Sequence, residues 1–391
     1  MISGQQQRSN LSYNPLSLSV SRQRAWVEID LKALAHNVRT LKAWLNPNSK
    51  LMAVVKADAY GHGAVTIAQV ALANGADSLA VATLQEWVEL RRSGISVPIL
   101  VLGAIDGVED IQAARAWGVE PTVVSSEQAI AFDRTLAKLG KSLRVHLQLD
   151  TGMSRLGTNW QSAVEFVAEV RDLPNLEIAS IYSHFATADD PDRTIMKLQQ
   201  QRFTEAIASL TAAGLKPPLI HMANSAATLN NRCSHYDLVR VGLALYGLYP
   251  APHLKDILDL KPVLQVKAKI TQVKTIPPGE GISYGRQYLT DVDTEIAVVG
   301  IGYADGVPRS LSNRLEAIVE GQKVSQIGAI TMDQLMLRLG AGHNVRPGDV
   351  VTLIGQQKGQ KITADDWADK LDTISWEILC GFKHRLPRIY V

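Results

Sequence analysis

Eight short apolar, β-branched runs, separated by stretches of helical spacing, constrain the fold more than any other feature of the chain. They occupy 51–56 (LMAVVK), 78–83 (SLAVAT), 98–103 (PILVLG), 121–125 (PTVVS), 143–149 (LRVHLQL), 176–183 (LEIASIYS), 219–223 (LIHMA) and 238–243 (LVRVGL). Between them, segments such as 64–74, 84–92, 127–139 and 162–171 repeat apolar residues at helical intervals. Eight parallel strands with covering helices make a (β/α)8 barrel of the α/β class. A doubly wound open sheet would normally carry a glycine-rich GxGxxG loop after its first strand, and that position here reads KADAYGHG. The barrel is therefore the expected fold.

The texture changes near residue 262 to alternating strands broken by turn signals: VLQVKAKITQVKTI, PPGEG, TEIAVVGIGYA, EAIVEGQKVSQIGAITMDQLMLRL and GDVVTLIG. A C-terminal mostly-β domain is expected over 262–391, after a barrel over 25–261. One helix is expected inside it, because Thr363 and Asp366 are spaced as a capping box ahead of Trp367 and Leu371. Asp30 stands as the cap of a first amphipathic helix carrying Leu31, Leu34, Val38 and Leu41. Residues 1–24, rich in Ser, Gln and Asn and without a continuous apolar core, read as a disordered leader.

Composition excludes several functions. With 46% hydrophobic and 20% charged residues, the 391-residue chain is of ordinary globular make-up, and no apolar stretch reaches the roughly 18–20 residues of a membrane span. Forty basic against thirty-eight acidic residues leave a charge of +2, which does not suit a nucleic-acid binder. Cys233 and Cys380 show neither metal-ligand spacing nor a disulfide framework, and read as packing residues of a cytoplasmic protein. No metal is expected.

In a barrel, reactive groups gather where the strands finish. The first strand ends at Lys56, with Asp58, Tyr60 and His62 following; the fifth leads to Asp150 and Arg155; the sixth delivers His184; the seventh Asn224 and Ser225; the eighth carries Arg240. Partial burial of Lys56 would disfavour its ammonium and free a lone pair to attack an aldehyde. Alternatively it snorkels to the rim or pairs with Asp58. Asn224–Ser225 and Gly242–Leu243 occupy the loops where barrels commonly bind phosphate, although Gly242 could be a simple bend. A nucleophilic lysine and a phosphate pocket together suggest pyridoxal 5'-phosphate. Arg240 could then face the pyridine nitrogen, or form an ion pair with Asp237; His184 could contact the cofactor or be a satisfied core histidine.

The motifs VVKADAYGHGA, LDTGMSRLG, YSHFATAD, HMANSAAT, VRVGLALYG, GISYGR, TMDQ and RLPR, in this order from about residue 25 to the C-terminus, resemble the alanine racemase family. The resemblance implies a pyridoxal-phosphate barrel and a β domain in a head-to-tail homodimer that interconverts L- and D-alanine for the cell wall. By motif position it implies that Lys56 carries the cofactor and is the base on the D face, with Tyr284 the base on the L face. Two bases are needed because a planar carbanion reprotonated from the side it left regenerates the substrate. The resemblance further implies that His184 supports that tyrosine, that Arg155 and the backbone at Met332 hold the substrate carboxylate, and that Tyr60, Ser225, Gly242 and Leu243 contact the phosphate. Arg240 matches the arginine on the pyridine nitrogen, and Tyr284 and Met332 would reach the partner's barrel. Gln148, Thr331 and His384 depart from residues common in the family, where a lysine, a cysteine and a phosphate-contacting tyrosine often stand. A related barrel decarboxylase and a cofactor-carrying barrel protein are the alternatives; GISYG and the C-terminal domain favour the racemase.

Overall fold

The computed structural model describes residues 24–340 and 342–391. The leader expected over 1–24 lies outside them except for Arg24, which clamps Asp305 through two hydrogen bonds of 2.6 and 2.8 Å.

All eight apolar runs are strands of one closed barrel: Lys50–Val54, Ser78–Val81, Ile99–Ala104, Glu120–Val123, Leu143–Asp150, Leu176–Tyr182, Ile220–His221 and Leu238–Val241. Every neighbouring pair is parallel. The eighth strand returns to the first, with Arg240 opposite Met52, and the fourth meets the fifth, with Thr122 opposite His146, so no edge is left open. Helices Ala64–Ala73, Leu84–Arg92, Ser126–Leu139 and Ala163–Arg171 follow the spacing read in the sequence. Two more, Val108–Trp117 and Thr194–Ala212, complete the outer layer. Asp30 caps helix Leu31–Trp44 by accepting the Ala33 N–H at 2.9 Å, a contact typically worth about 1 kcal/mol.

Nine further strands form a second, mostly antiparallel sheet, and Gly281–Ile282 pairs with Tyr288–Leu289 in a separate two-stranded ribbon. Its long central strand, Leu264–Ile276, pairs with Thr294–Val299, Val350–Gln357 and Ala25–Ile29. Strand Ala25–Ile29, which the sequence reading runs in with the barrel, thus belongs to the other sheet, where it also pairs in parallel with Arg388–Tyr390. A lone apolar run does not reveal which sheet it will join. Thr363 and Asp366 exchange the capping-box bonds at 2.7 and 3.0 Å, and a second short helix, Ser375–Gly381, follows the one expected.

Candidate active site

The chain does something unusual at the end of the first barrel strand. Ala57, Asp58, Ala59 and Tyr60 are all left-handed, with φ of 54°, 53°, 52° and 54°, a single left-handed turn built without glycine. Each such residue costs roughly 1–2 kcal/mol, so the turn exists only because its surroundings impose it. Glu86 accepts the Ala57 N–H at 2.7 Å, and Arg388, from the C-terminal strand, donates through Nε to the Gly61 carbonyl at 3.0 Å. The imidazole of His62, wholly buried, uses Nδ1 to hold the carbonyls of Ala59 and Tyr60 at 2.9 and 3.0 Å. The turn projects Lys56 into a cavity of about 360 Å³ at the carboxyl ends of the strands.

Lys56 makes no ion pair among the described residues; Asp58 instead accepts the Ala64 N–H and pairs with Arg388. Burial first, and then the positive charge of Arg155, lowers the lysine's pKa, which favours a neutral amine. Tyr60, His184, Asn224, Ser225, Arg240, Gly242 and Leu243 line the same cavity. Seven residues chosen from four strand ends thus meet Lys56 in one place.

The far wall suits a phosphate. Ser225 Oγ accepts the Gly242 N–H at 3.0 Å, and a Cβ on Gly242 would lie 2.4 Å from the Tyr60 hydroxyl, so only glycine leaves the gap. Leu243 opens a 3-10 helix, where its amide has no helical partner, and Asn224 caps helix Ser225–Asn230 by accepting the Ala227 N–H at 3.0 Å. Arg240 is buried but not paired with Asp237, whose carboxylate accepts the Ile220 amide. Its guanidinium donates through Nη1 to His221 Nδ1 at 2.6 Å and through Nη2 to the Ser183 carbonyl at 2.7 Å, His184 Nδ1 at 3.1 Å and the Met222 carbonyl at 3.2 Å, leaving Nε–H without a protein acceptor among the described residues. Because arginine only donates, His184 must keep its proton on Nε2. Burial first and Arg240 next hold the His184 pKa well below its ordinary value.

Three candidates stand outside the cavity of their own chain. Arg155 is exposed and absent from the lining, while Tyr284, on the turn of the two-stranded ribbon, and Met332, on a loop of the nine-stranded sheet, are 75% and 53% exposed. Gln148, 5% exposed, accepts from the Tyr182 hydroxyl at 3.0 Å rather than from Arg155. Thr331 closes a tight turn with Gln334, and His384 is exposed and away from the cavity lining. Several lining residues were not legible as such in the sequence: Leu102 from the third barrel strand, Asp189 and Pro250 from barrel loops, and Trp376 and Cys380 from the last helix. Cys380, read as mere packing, borders the lysine; nothing in its local sequence ties it to the barrel.

A closed parallel barrel that delivers a neutralisable lysine, a phosphate cradle and an unpaired arginine N–H into one cavity defines a pyridoxal-phosphate barrel enzyme. Comparison with known proteins narrows this further. The family models "Alanine racemase, N-terminal domain" and "Alanine racemase, C-terminal domain" match residues 29–250 and 263–390. The alanine racemase of Synechocystis sp. is 62% identical over 370 residues, covering 95% of this chain and all of that one, and that of Nostoc sp. is 59% identical with 94% and 96% covered. Among solved structures, alanine racemase from Bacillus anthracis with bound L-Ala-P superposes with a TM-score of 0.89 at 38% identity, covering 94% of this chain and 95% of that one. The enzyme from E. faecalis gives 0.89 at 35%, with 94% and 98% covered. The chain belongs to the alanine racemase family, a family of pyridoxal-phosphate-dependent isomerases.

Proposed function

We propose that this chain racemises alanine with Lys56 and Tyr284 as bases on opposite faces of Cα, in a homodimer whose two sites each draw on both chains. The observation that carries this reading is the position of Tyr284. It stands 75% exposed on the 3-10 turn Tyr284–Arg286 of a two-stranded ribbon, outside the lining of the cavity that holds Lys56. A second copy packed head to tail would carry both into the cavity.

The cofactor, when bound, supplies an electron-withdrawing ring that acidifies the substrate's Cα proton. Tyr60, Ser225 and the loop at Gly242–Leu243 would take the phosphate, with Asn224 fixing the helix that presents Ser225. Arg240 would donate to the ring nitrogen, and a guanidinium there would do so without surrendering its proton. Lys56, its pKa lowered, takes or returns the Cα proton on one face. Tyr284 does so on the other, where the Nε2–H of His184 would stabilise a phenolate oxygen. Arg155 and the Met332 amide hold the carboxylate, and Gln148 contributes no charge beside that arginine. The two free thiols, Cys233 and Cys380, suit a cytoplasmic enzyme supplying D-alanine for peptidoglycan.

Lys56→Ala should abolish the visible absorbance of bound cofactor and lower racemisation by at least about 10³-fold. Tyr284→Phe should keep that absorbance while suppressing exchange of the Cα proton of L-alanine in deuterated water by roughly 10²–10⁴-fold. Undiminished exchange would assign the second base elsewhere.

A further inference from the structure

The interior of a parallel barrel is ordinarily filled by Val, Ile and Leu. Here a row of polar side chains crosses it from strand to strand. Arg240 Nη1 lies 2.6 Å from His221 Nδ1; His221 Nε2 lies 2.8 Å from Ser180 Oγ; Ser180 Oγ lies 2.5 Å from His146 Nδ1; and His146 Nε2 lies 2.8 Å from Glu120 Oε2. Arg240, His221, Ser180, His146 and Glu120 are each at most 8% exposed and come from five successive barrel strands. The row ends at Glu120, the first residue of its strand, where Arg144 pairs with the other carboxylate oxygen at 3.2 Å.

The direction of this row follows from its two ends. Arginine has no acceptor, so His221 Nδ1 must accept and its proton must sit on Nε2, which donates to Ser180. The Ser180 hydroxyl then donates to His146 Nδ1, and His146 donates through Nε2 to Glu120, an ionised carboxylate that only accepts. Every buried group is satisfied in one direction and in no other neutral arrangement. We propose that Glu120 is a positioning residue for the racemase reaction, acting through His146, Ser180 and His221 to fix the tautomers of both imidazoles and the orientation and polarisation of the Arg240 guanidinium. This rests on the assignment of Arg240 to the cofactor ring nitrogen. Removing the carboxylate would let His146 reverse, and a reversed row would set a His221 N–H against an arginine N–H.

The test uses histidine-selective ¹⁵N labelling of the holoenzyme, with His146 and His221 assigned by the signals lost on substituting each. In the wild type both rings should show an unprotonated Nδ1 and a protonated Nε2. A protonated Nδ1 on either ring overturns the proposal whatever Arg240 does. Glu120→Gln should move the His221 signals, shift the absorbance maximum of bound cofactor and lower kcat roughly tenfold, with far-UV circular dichroism unchanged. Movement of His221 without any shift in absorbance or kcat would break the link to the cofactor while leaving the row intact, and so faults the assignment of Arg240. If the variant fails to fold, the wild-type tautomers decide alone.

Discussion

At the scale of single residues, the site is held by groups that never touch substrate. His62 shows how. Its ring stacks on Tyr246 at 4.4 Å while Nδ1 ties two carbonyls of the left-handed turn, and its Nε2 is buried without a partner. Burial, the largest cause, pulls its pKa down to about 4 from an ordinary value near 6.5. The neutral ring is the folded form, so its contribution is whole above pH 6.5 and is lost as the pH falls from about 6.5 to about 4, about 3 kcal/mol for this group. His62→Phe keeps a ring against Tyr246 but cannot donate or titrate. Urea melts of the holoenzyme should show the variant about 1–3 kcal/mol less stable at pH 7, with a shallower loss between pH 6.5 and 4 than the wild type. Gly242 makes a different point, because a Cβ there would meet the Tyr60 hydroxyl at 2.4 Å. Gly242→Ala should weaken cofactor binding by roughly 5- to 150-fold, the equivalent of about 1–3 kcal/mol of overpacking, as read by absorbance titration of the apoenzyme.

At the scale of elements, what was legible in the sequence and what was not divide on physical grounds. The eight strands could be read because a strand buried on both faces must be a short apolar run, and the residues just past each run had only the carboxyl face of a barrel to occupy. The turn at 57–60 could not, since four consecutive left-handed residues contradict the local preference of Ala, Asp and Tyr. It is imposed by a segment more than three hundred residues later. Arg388 donates to Gly61 O and to the carbonyls of Phe382, Lys383 and Leu386, and a Cβ on Gly63 would collide with the Tyr390 hydroxyl at 2.1 Å. His146, Ser180 and His221 were visible only as polar breaks within apolar runs; which of them meet depends on the register of a closed barrel. Arg388→Lys should not restore this clamp, because a single ammonium cannot reproduce the fork of the guanidinium. It should cost at least about 2 kcal/mol, several backbone carbonyls losing their donor, and should speed amide hydrogen exchange at 57–63 before it does so elsewhere in the barrel.

For the whole molecule, what decides is that the two proposed bases, Lys56 and Tyr284, stand apart within one chain. Lys56 lies in the cavity, whereas Tyr284 and Met332 are exposed in the C-terminal part of the chain, as is Tyr303. In a two-fold dimer each site would take its lysine from one chain and its tyrosine from the other, and this makes mixed dimers informative. Lys56→Ala and Tyr284→Phe chains should each be inactive alone. When they are dissociated together and reassociated, one site of each mixed dimer pairs both altered residues and is dead. The other pairs an intact Lys56 with an intact Tyr284. Random pairing makes about half the dimers mixed, so recovery should approach roughly a quarter of wild-type racemisation, and activity should fall on dilution as dimers dissociate. If the reassociated mixture stays inactive although mixed dimers are present by mass spectrometry, each site is built within one chain, and Tyr284 must reach its own Lys56 by a rearrangement of the second sheet against the barrel.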